Sequence, residues 1–408
     1  MGGKEFFTTL SVSEALAGFR PSRRTGEETV LREDALGRVP ATAVVSGAEL
    51  PGFARSTVDG YAVRAADTYG ASDGLPAYLD LIGAVRMGVG ADVAVRPATA
   101  VQIPTGAVIP ADADAVVMVE HTQITTSDVI EVTRPVAVGE GIVHADEDVA
   151  LGSEIAPAGR PLRAQDLGLL AAAGVTEVVV CARPRVAIIS TGDEVVPPST
   201  KELMPGQVRD ATASALAALV TEAGGEPSLR GIVPDDVDAL TKTLESALQD
   251  SDLIVVSAGS SVGARDETTA AVESLGGPGI FCHGLSIKPG KPTLLAECSD
   301  VPVIGLPGNP LSALVVFRLV GLPILRLLGG ITRPPAEPTR SATLSRSVAS
   351  AAGRLDVVQV QVRDDVATPL FGFSALLSIL TTADGYVVIP EPATGLESGA
   401  DVTVTTYR

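Results

Sequence analysis

The stretch RVAIISTGDE, residues 185–194, decides the fold. RVAIIS is an apolar β-run, and it ends in TGDE, a turn that carries two acids. Working outward, ATASALAALVTEAGG (211–225) has helical spacing and a glycine stop, and LRGIV (229–233) is another strand. DDVDALTKTLESALQ (235–249) opens with acids and continues as a helix, and LIVVSAGSS (253–261) is a buried strand running into a Gly/Ser loop. DETTAAVESLGG, PVIGLPGNP and LSALVVFRLVGLPILRLL continue the alternation. Such strands, alternating with helices of 12–16 residues, imply a doubly wound parallel sheet covered on both faces.

The flanks read differently. Residues 11–38 are expected to be helical, with Ser11 or Ser13 as the cap before EALAGF. From about 75 to 156, VRMGVGADVAV, ATAVQIPTGAVI and DAVVMVE look like half-buried strands in a β-rich module. TRPPAEPTR (332–340) is a Pro-rich linker. LDVVQVQV, GYVVIP and DVTVTTY beyond it suggest a small β-barrel or sandwich.

Composition narrows the function. The 408 residues carry 30 Lys+Arg against 49 Asp+Glu, a formal charge of −19, with 46% apolar residues. This describes a soluble globular chain of two to four domains and argues against a nucleic-acid or anionic-membrane surface. The longest apolar run, Leu311 to Leu328, holds Arg318, Pro323 and Arg326 and is expected to be a buried helix rather than a membrane span. MGGKEFFTTL has no signal-peptide core. Cys181, Cys282 and Cys298 have no metal or redox spacing and are expected to be free thiols in the cytoplasm.

In a doubly wound sheet, ligands bind beyond the carboxyl ends of the strands, and the unusual loops lie there. Glu194, Asp235 and Asp266 sit on three such loops and suit a hard cation such as Mg²⁺; the plain alternative for Asp235 and Asp266 is helix capping. SAGSSVG can present backbone N–H groups to an oxyanion. IKPGKP holds two of only five lysines, Lys288 and Lys291, which look aimed at an anion; the plain alternative is solvated surface lysines. Carboxylates beside lysines are the inventory of a phosphate- or oxyanion-handling site.

STVDGYAV, IPTGAVIPADADAVVMVE, STGDEVV, SAGSSVGARD, IKPGKP and GLPGNPLSA follow in this order, and with them the chain resembles the molybdopterin molybdenumtransferase family (MoeA and the gephyrin E-domain). The resemblance implies four domains: residues 1–45 with 147–177 as a linking domain, 46–146 as an inserted β-rich domain, 178–330 as the α/β domain and 332–408 as a β-barrel. It implies a transferase that inserts molybdate into adenylylated molybdopterin, with Mg²⁺ help and loss of AMP. It also implies a homodimer, and contacts with the molybdopterin adenylyltransferase and with acceptor molybdoenzymes. Glu194, Asp235 and Asp266 match the family's acidic and metal positions, and Lys288 with Lys291 supplies oxyanion charge. Thr191, Gly192, Gly259, Ser260, Ser261 and Gly263 would contact nucleotide or pterin. Pro307, Gly308, Pro310, Arg354 and Ser374 match further substrate positions. Asp59 and Thr105 match residues that reach the site from the neighbouring subunit.

Several positions depart from that pattern. IVHADEDV lacks the usual arginines and has Asp146 where Gly is common. Gly284, next to His283, replaces a basic residue, Gln359 replaces an Arg, and Ala258 and Ser260 vary the Gly/Ser loop. All three losses of a basic residue remove positive charge near an anionic substrate. A paralogue that binds pterin or nucleotide without turnover, or a tungstate-inserting homologue, are the alternatives.

Overall fold

The computed structural model describes residues 9–126, 128–257 and 262–407, with the side chains of 262–266 outside that description. The central sheet contains β1 (Arg185–Thr191), β2 (Glu226–Val233), β3 (Leu253–Ser257), β4 (Pro278–His283), β5 (Leu294–Cys298) and β6 (Val301–Leu306). Their order is β2-β1-β3-β6-β5-β4. The pairs β1–β2, β1–β3 and β3–β6 are parallel, whereas β6–β5 and β5–β4 are antiparallel. The all-parallel expectation is thus corrected at one edge. There the two strands are joined by the compact IKPGKP turn, which leaves no chain for a helical crossover.

Alternation along the strands feeds two cores. Val186, Ile188 and Val255 pack with Leu216 of helix α1 (Thr212–Glu222) and with the long helix that starts at Pro310. Ala187, Ile189 and Val256 face Leu240 and Leu244 of α2 (Val237–Leu248) and Val272 of α3 (Val262–Ser274). The expected apolar helix runs from Pro310 to Leu328, with a π-helical turn at Phe317–Gly321. By length and composition it could cross a membrane, but 67% of its most apolar window is buried inside the protein.

The segment 339–406 forms a five-stranded ring closed by pairing of Leu355–Arg363 with Gly385–Ile389, so this part is a barrel. A separate six-stranded sheet takes Ala115–Met118, Gly60–Val63, Thr99–Ile103, Ala77–Ala84, Val129–Val132 and Thr122–Thr126 in that order.

Two expectations fail here. The helix expected over 11–38 is only Val12–Gly18, closed by a capping box between Ser11 and Glu14. The residues beyond it include strand Glu27–Leu31, paired with Glu177–Cys181; Pro21, Gly26 and the β-branched pair Thr29-Val30 disfavour a continuous helix. VRMGVGADVAV (85–95) is not a strand, because glycines at 88 and 90 interrupt it, although Val85 and Val95 are buried.

Candidate active site: one rim of the sheet

Strand register gathers the loops. Ser190 pairs with Ser257, Ser257 with Leu306, and Thr191 with Val233, so the parallel strands end at one level. Leu294 of β5 pairs with both Gly305 and His283, so the turn containing Lys288 and Lys291 lies at that same edge. Along the rim the order is Asp235, then Gly192–Glu194, then Ser257 at the end of β3, then Pro307–Asn309, then the lysine turn. The acids after β1 and the lysine turn before β5 are three strand spacings apart, about 14 Å.

At the acidic end, Gly192 adopts φ +135° and a Cβ there would meet Glu194 Oε2 at 2.6 Å, so only glycine lets the Glu194 carboxylate fold back over the turn. The Asp235 N–H donates to Asp193 Oδ1 at 3.3 Å. Capping of α2 is done by Asp236, whose side chain accepts from the Ala239 N–H at 2.8 Å. That corrects the capping reading of Asp235. Its Oδ1 is instead enclosed with no hydrogen-bond partner. Burial raises the Asp235 carboxyl above the usual carboxylate range, and the charges of Asp193 and Glu194 raise it further. Thr191 is buried at the end of β1.

Asp266 and Gly263 lie within α3, so Asp266 does not precede the helix as a cap would. The Asp266 side chain is outside the described residues, as are Ala258, Gly259, Ser260 and Ser261. Among the described residues, no three His, Cys, Asp or Glu side chains form a metal-holding group.

The cationic end is a cavity of about 800 Å³ between the α/β domain and the barrel. Lys288, Lys291, Pro307, Arg354 and Ser374 line it; Glu194 and Asp235 do not. Its floor is a two-residue parallel ladder in which Ile287 faces Leu355 and Lys288 faces Asp356. A Cβ on Gly290 would lie 2.2 Å from Val316 Cγ2, so the Pro-Gly bend needs glycine to cross the long helix. Both lysines are exposed, and no ion pair among the described residues uses either. Arg354 is different: its Nε and Nη2 donate to the two oxygens of Asp356 at 2.6 and 3.0 Å. Its charge is therefore largely neutralised within the barrel wall.

Gly308 lies in the turn before Pro310, the first helical residue. Asn309 Nδ2 donates to Ser374 Oγ at 2.8 Å and ties that turn to the barrel. Gln359 also lines the cavity; it is buried, its Oε1 accepts from the Tyr407 hydroxyl, and its Nε2 has no partner. Asp59 and Thr105 sit together in the separate β-rich sheet region, where Asp59 Oδ1 accepts from the Thr105 N–H at 2.8 Å, and neither lines the cavity of its own chain. Gly60 beside them is dictated by packing, since a Cβ would lie 1.9 Å from the Val117 carbonyl oxygen.

Sequence reasoning passed over Asp193, Asn309 and Asp356, although all three stand inside quoted motifs. The doublet Asp235-Asp236 held the usable signal: one acid suffices to cap α2, which leaves the other spare.

A mixed α/β sheet with ligand-type loops at one edge, closed on one side by a barrel, defines a multidomain α/β protein with a cavity between two of its domains. The family models agree. Residues 10–174 match the MoeA N-terminal region (domain I and II), 187–327 the probable molybdopterin binding domain, and 341–407 the MoeA C-terminal region (domain IV). The molybdopterin molybdenumtransferase 2 of Mycobacterium tuberculosis is 34% identical over 96% of this chain and 96% of its own. The molybdopterin molybdenumtransferase of a Nostoc species is 38% identical over 73% of this chain and 68% of its own. The solved molybdopterin biosynthesis MoeA protein of Pyrococcus horikoshii superposes with a TM-score of 0.86 at 31% identity, covering 98% of this chain and 100% of that one. The chain belongs to the MoeA family and is a transferase of molybdenum cofactor biosynthesis.

Proposed function

We propose that the chain inserts molybdate into adenylylated molybdopterin and releases AMP. What carries this reading is the rim itself, with an enclosed, donorless carboxylate oxygen on Asp235 at one end and two unpaired lysines in a cavity at the other. A long anionic substrate can span that separation. Lys288 and Lys291 would hold molybdate by charge-assisted hydrogen bonds, while Thr191 and Gly192 would contact the nucleotide through their backbone. Hydrolysis then breaks the phosphoanhydride bond: water adds to phosphorus, and AMP departs to leave the molybdopterin phosphate. The two dithiolene sulfurs bond molybdenum as one oxo group of molybdate leaves as water with their two protons.

The residues present fit Mg²⁺. An acid with a raised pKa, bearing an orphaned oxygen beside two further carboxylates, is relieved by a cation. Because no three described carboxylates form a metal-holding group, Asp235 with Glu194 would hold it only together with the substrate's own phosphates, to whose oxygens it would supply positive charge. In a homodimer, Asp59 and Thr105 of each subunit would serve the partner's rim. We place the chain in the cytoplasm, a location that free cysteines suit.

The test is direct: purified protein is incubated with adenylylated molybdopterin, Mg²⁺ and molybdate. AMP release together with active cofactor supports the proposal, and pterin binding without AMP release refutes it. Adding tungstate in competition reports which oxyanion is preferred.

A further inference from the structure

Phe373 is 83% exposed at the edge of the lysine cavity, and Phe371, also lining that cavity, is 57% exposed. The loop carrying them is nonetheless held at both ends. On one side the Arg346 guanidinium lies 4.8 Å from the Phe371 ring centroid, and its Nη2 donates to the Pro369 carbonyl at 2.8 Å. On the other, the Ser374 carbonyl accepts from the Leu311 N–H at 3.2 Å, and Ser374 Oγ accepts from Asn309. In the middle, a Cβ on Gly372 would lie 2.5 Å from Ile379 Cδ1, so the loop lies against the short helix Ser378–Thr382 that follows it. The backbone on either side of an exposed aromatic ring is thus held, at the edge of a cavity that two exposed lysines also line.

A bare oxyanion needs the ammonium groups and has no use for the ring. A ligand joining an anionic group to a flat heteroaromatic ring uses both. We propose that Phe373 is a stacking platform that binds the fused heteroaromatic ring of the substrate while its anionic portion enters the cavity toward Lys288 and Lys291. This rests on the anion-handling reading of that cavity and adds a residue that selects for ring-bearing ligands over free oxyanions.

The protein has no tryptophan, so Phe373→Trp places a single fluorophore at this position. AMP and 6-hydroxymethylpterin serve as ring-bearing probes, and inorganic molybdate as the ringless one. The expected result is quenching of Trp emission by AMP, by the pterin or by both, and none by molybdate. By equilibrium dialysis, Phe373→Ala is expected to weaken binding of the quenching probe about 10-fold and to leave molybdate binding and the melting temperature unchanged. Absence of quenching by both rings, or unchanged ring-probe affinity in Phe373→Ala, overturns the proposal. So does dissociation of an oligomer by Phe373→Ala without an effect on the probes, which would assign the ring to a contact between copies. Lys288→Ala separates the two levels. If it weakens molybdate binding while the Phe373 variants change nothing, only the stacking role fails; if it leaves molybdate binding intact, the cavity reading fails as well.

Discussion

Lys288 of the α/β domain and Asp356 of the barrel are paired residues in a two-residue parallel ladder, and Asp356 in turn holds Arg354 through two hydrogen bonds. The position of the lysine is therefore set jointly by two domains. One stretch of barrel wall fixes the lysine backbone and neutralises the nearest arginine, which leaves the free positive charge of the cavity to Lys288 and Lys291.

Asp356 is buried while Arg354 is partly exposed, at 5% and 35% side-chain accessibility. Asp356→Ala removes two charge-assisted bonds and should lower stability by about 2 kcal/mol, read from urea unfolding followed by circular dichroism. An unchanged midpoint would show that the pair is ornamental.

Asp235 gives a pH dependence of definite sign. Its carboxyl is raised in the folded state, so the folded protein binds more protons than the unfolded chain between the ordinary and the raised value. Its contribution to stability accordingly falls as pH rises through that window. At neutral pH, Asp235→Asn should raise the melting temperature, Mg²⁺ should raise that of the unmodified protein, and Mg²⁺ should do little for the variant. Differential scanning fluorimetry across pH 4–8 checks all three, and an equal Mg²⁺ shift in both proteins would count against a cation at Asp235.

Burial raises the thiol of Cys282 to about 11 and also raises those of Cys298 and Cys181. Ellman's reagent at pH 8 should therefore find no rapidly reacting thiol in the native protein and three in urea. A fast native thiol would contradict the inert role.

Asp59 and Thr105 bond to each other away from the cavity of their own chain. If they serve the partner's rim, mixing the impaired Asp59→Ala and Lys288→Ala chains by co-refolding should bring activity up to about a quarter of the original through random assortment into dimers. No recovery in verified mixed dimers would place both residues in one chain's site.

What could be read from the sequence follows from how far each signal reaches. RVAIIS and LIVVS announce buried strands because β-branched runs carry their own pattern, and the barrel strands alternate legibly. The strand–loop alternation put Glu194 and Asp235 just after strands, and the position of the lysine turn at that same edge of the sheet came from the strand register. The distance between acids and lysines was not readable, because it depends on β3 and β6 lying between β1 and β5. Nor was the bridge from Lys288 to Asp356, since two residues have no periodicity. Arg354 looked like a free substrate cation in the sequence, and only the fold shows Asp356 neutralising it. The 85–95 segment misled because buried valines at its ends imitate a strand that Gly88 and Gly90 interrupt.

The central claim is that the two ends of the rim act on one substrate, and single-turnover release of AMP from adenylylated molybdopterin in the presence of molybdate and Mg²⁺ tests it most directly. With folding verified for each variant, Lys288→Ala and Asp235→Asn should each slow the coupled reaction by about 10-fold or more, the loss of one charge-assisted contact. Full turnover in either variant would contradict the claim.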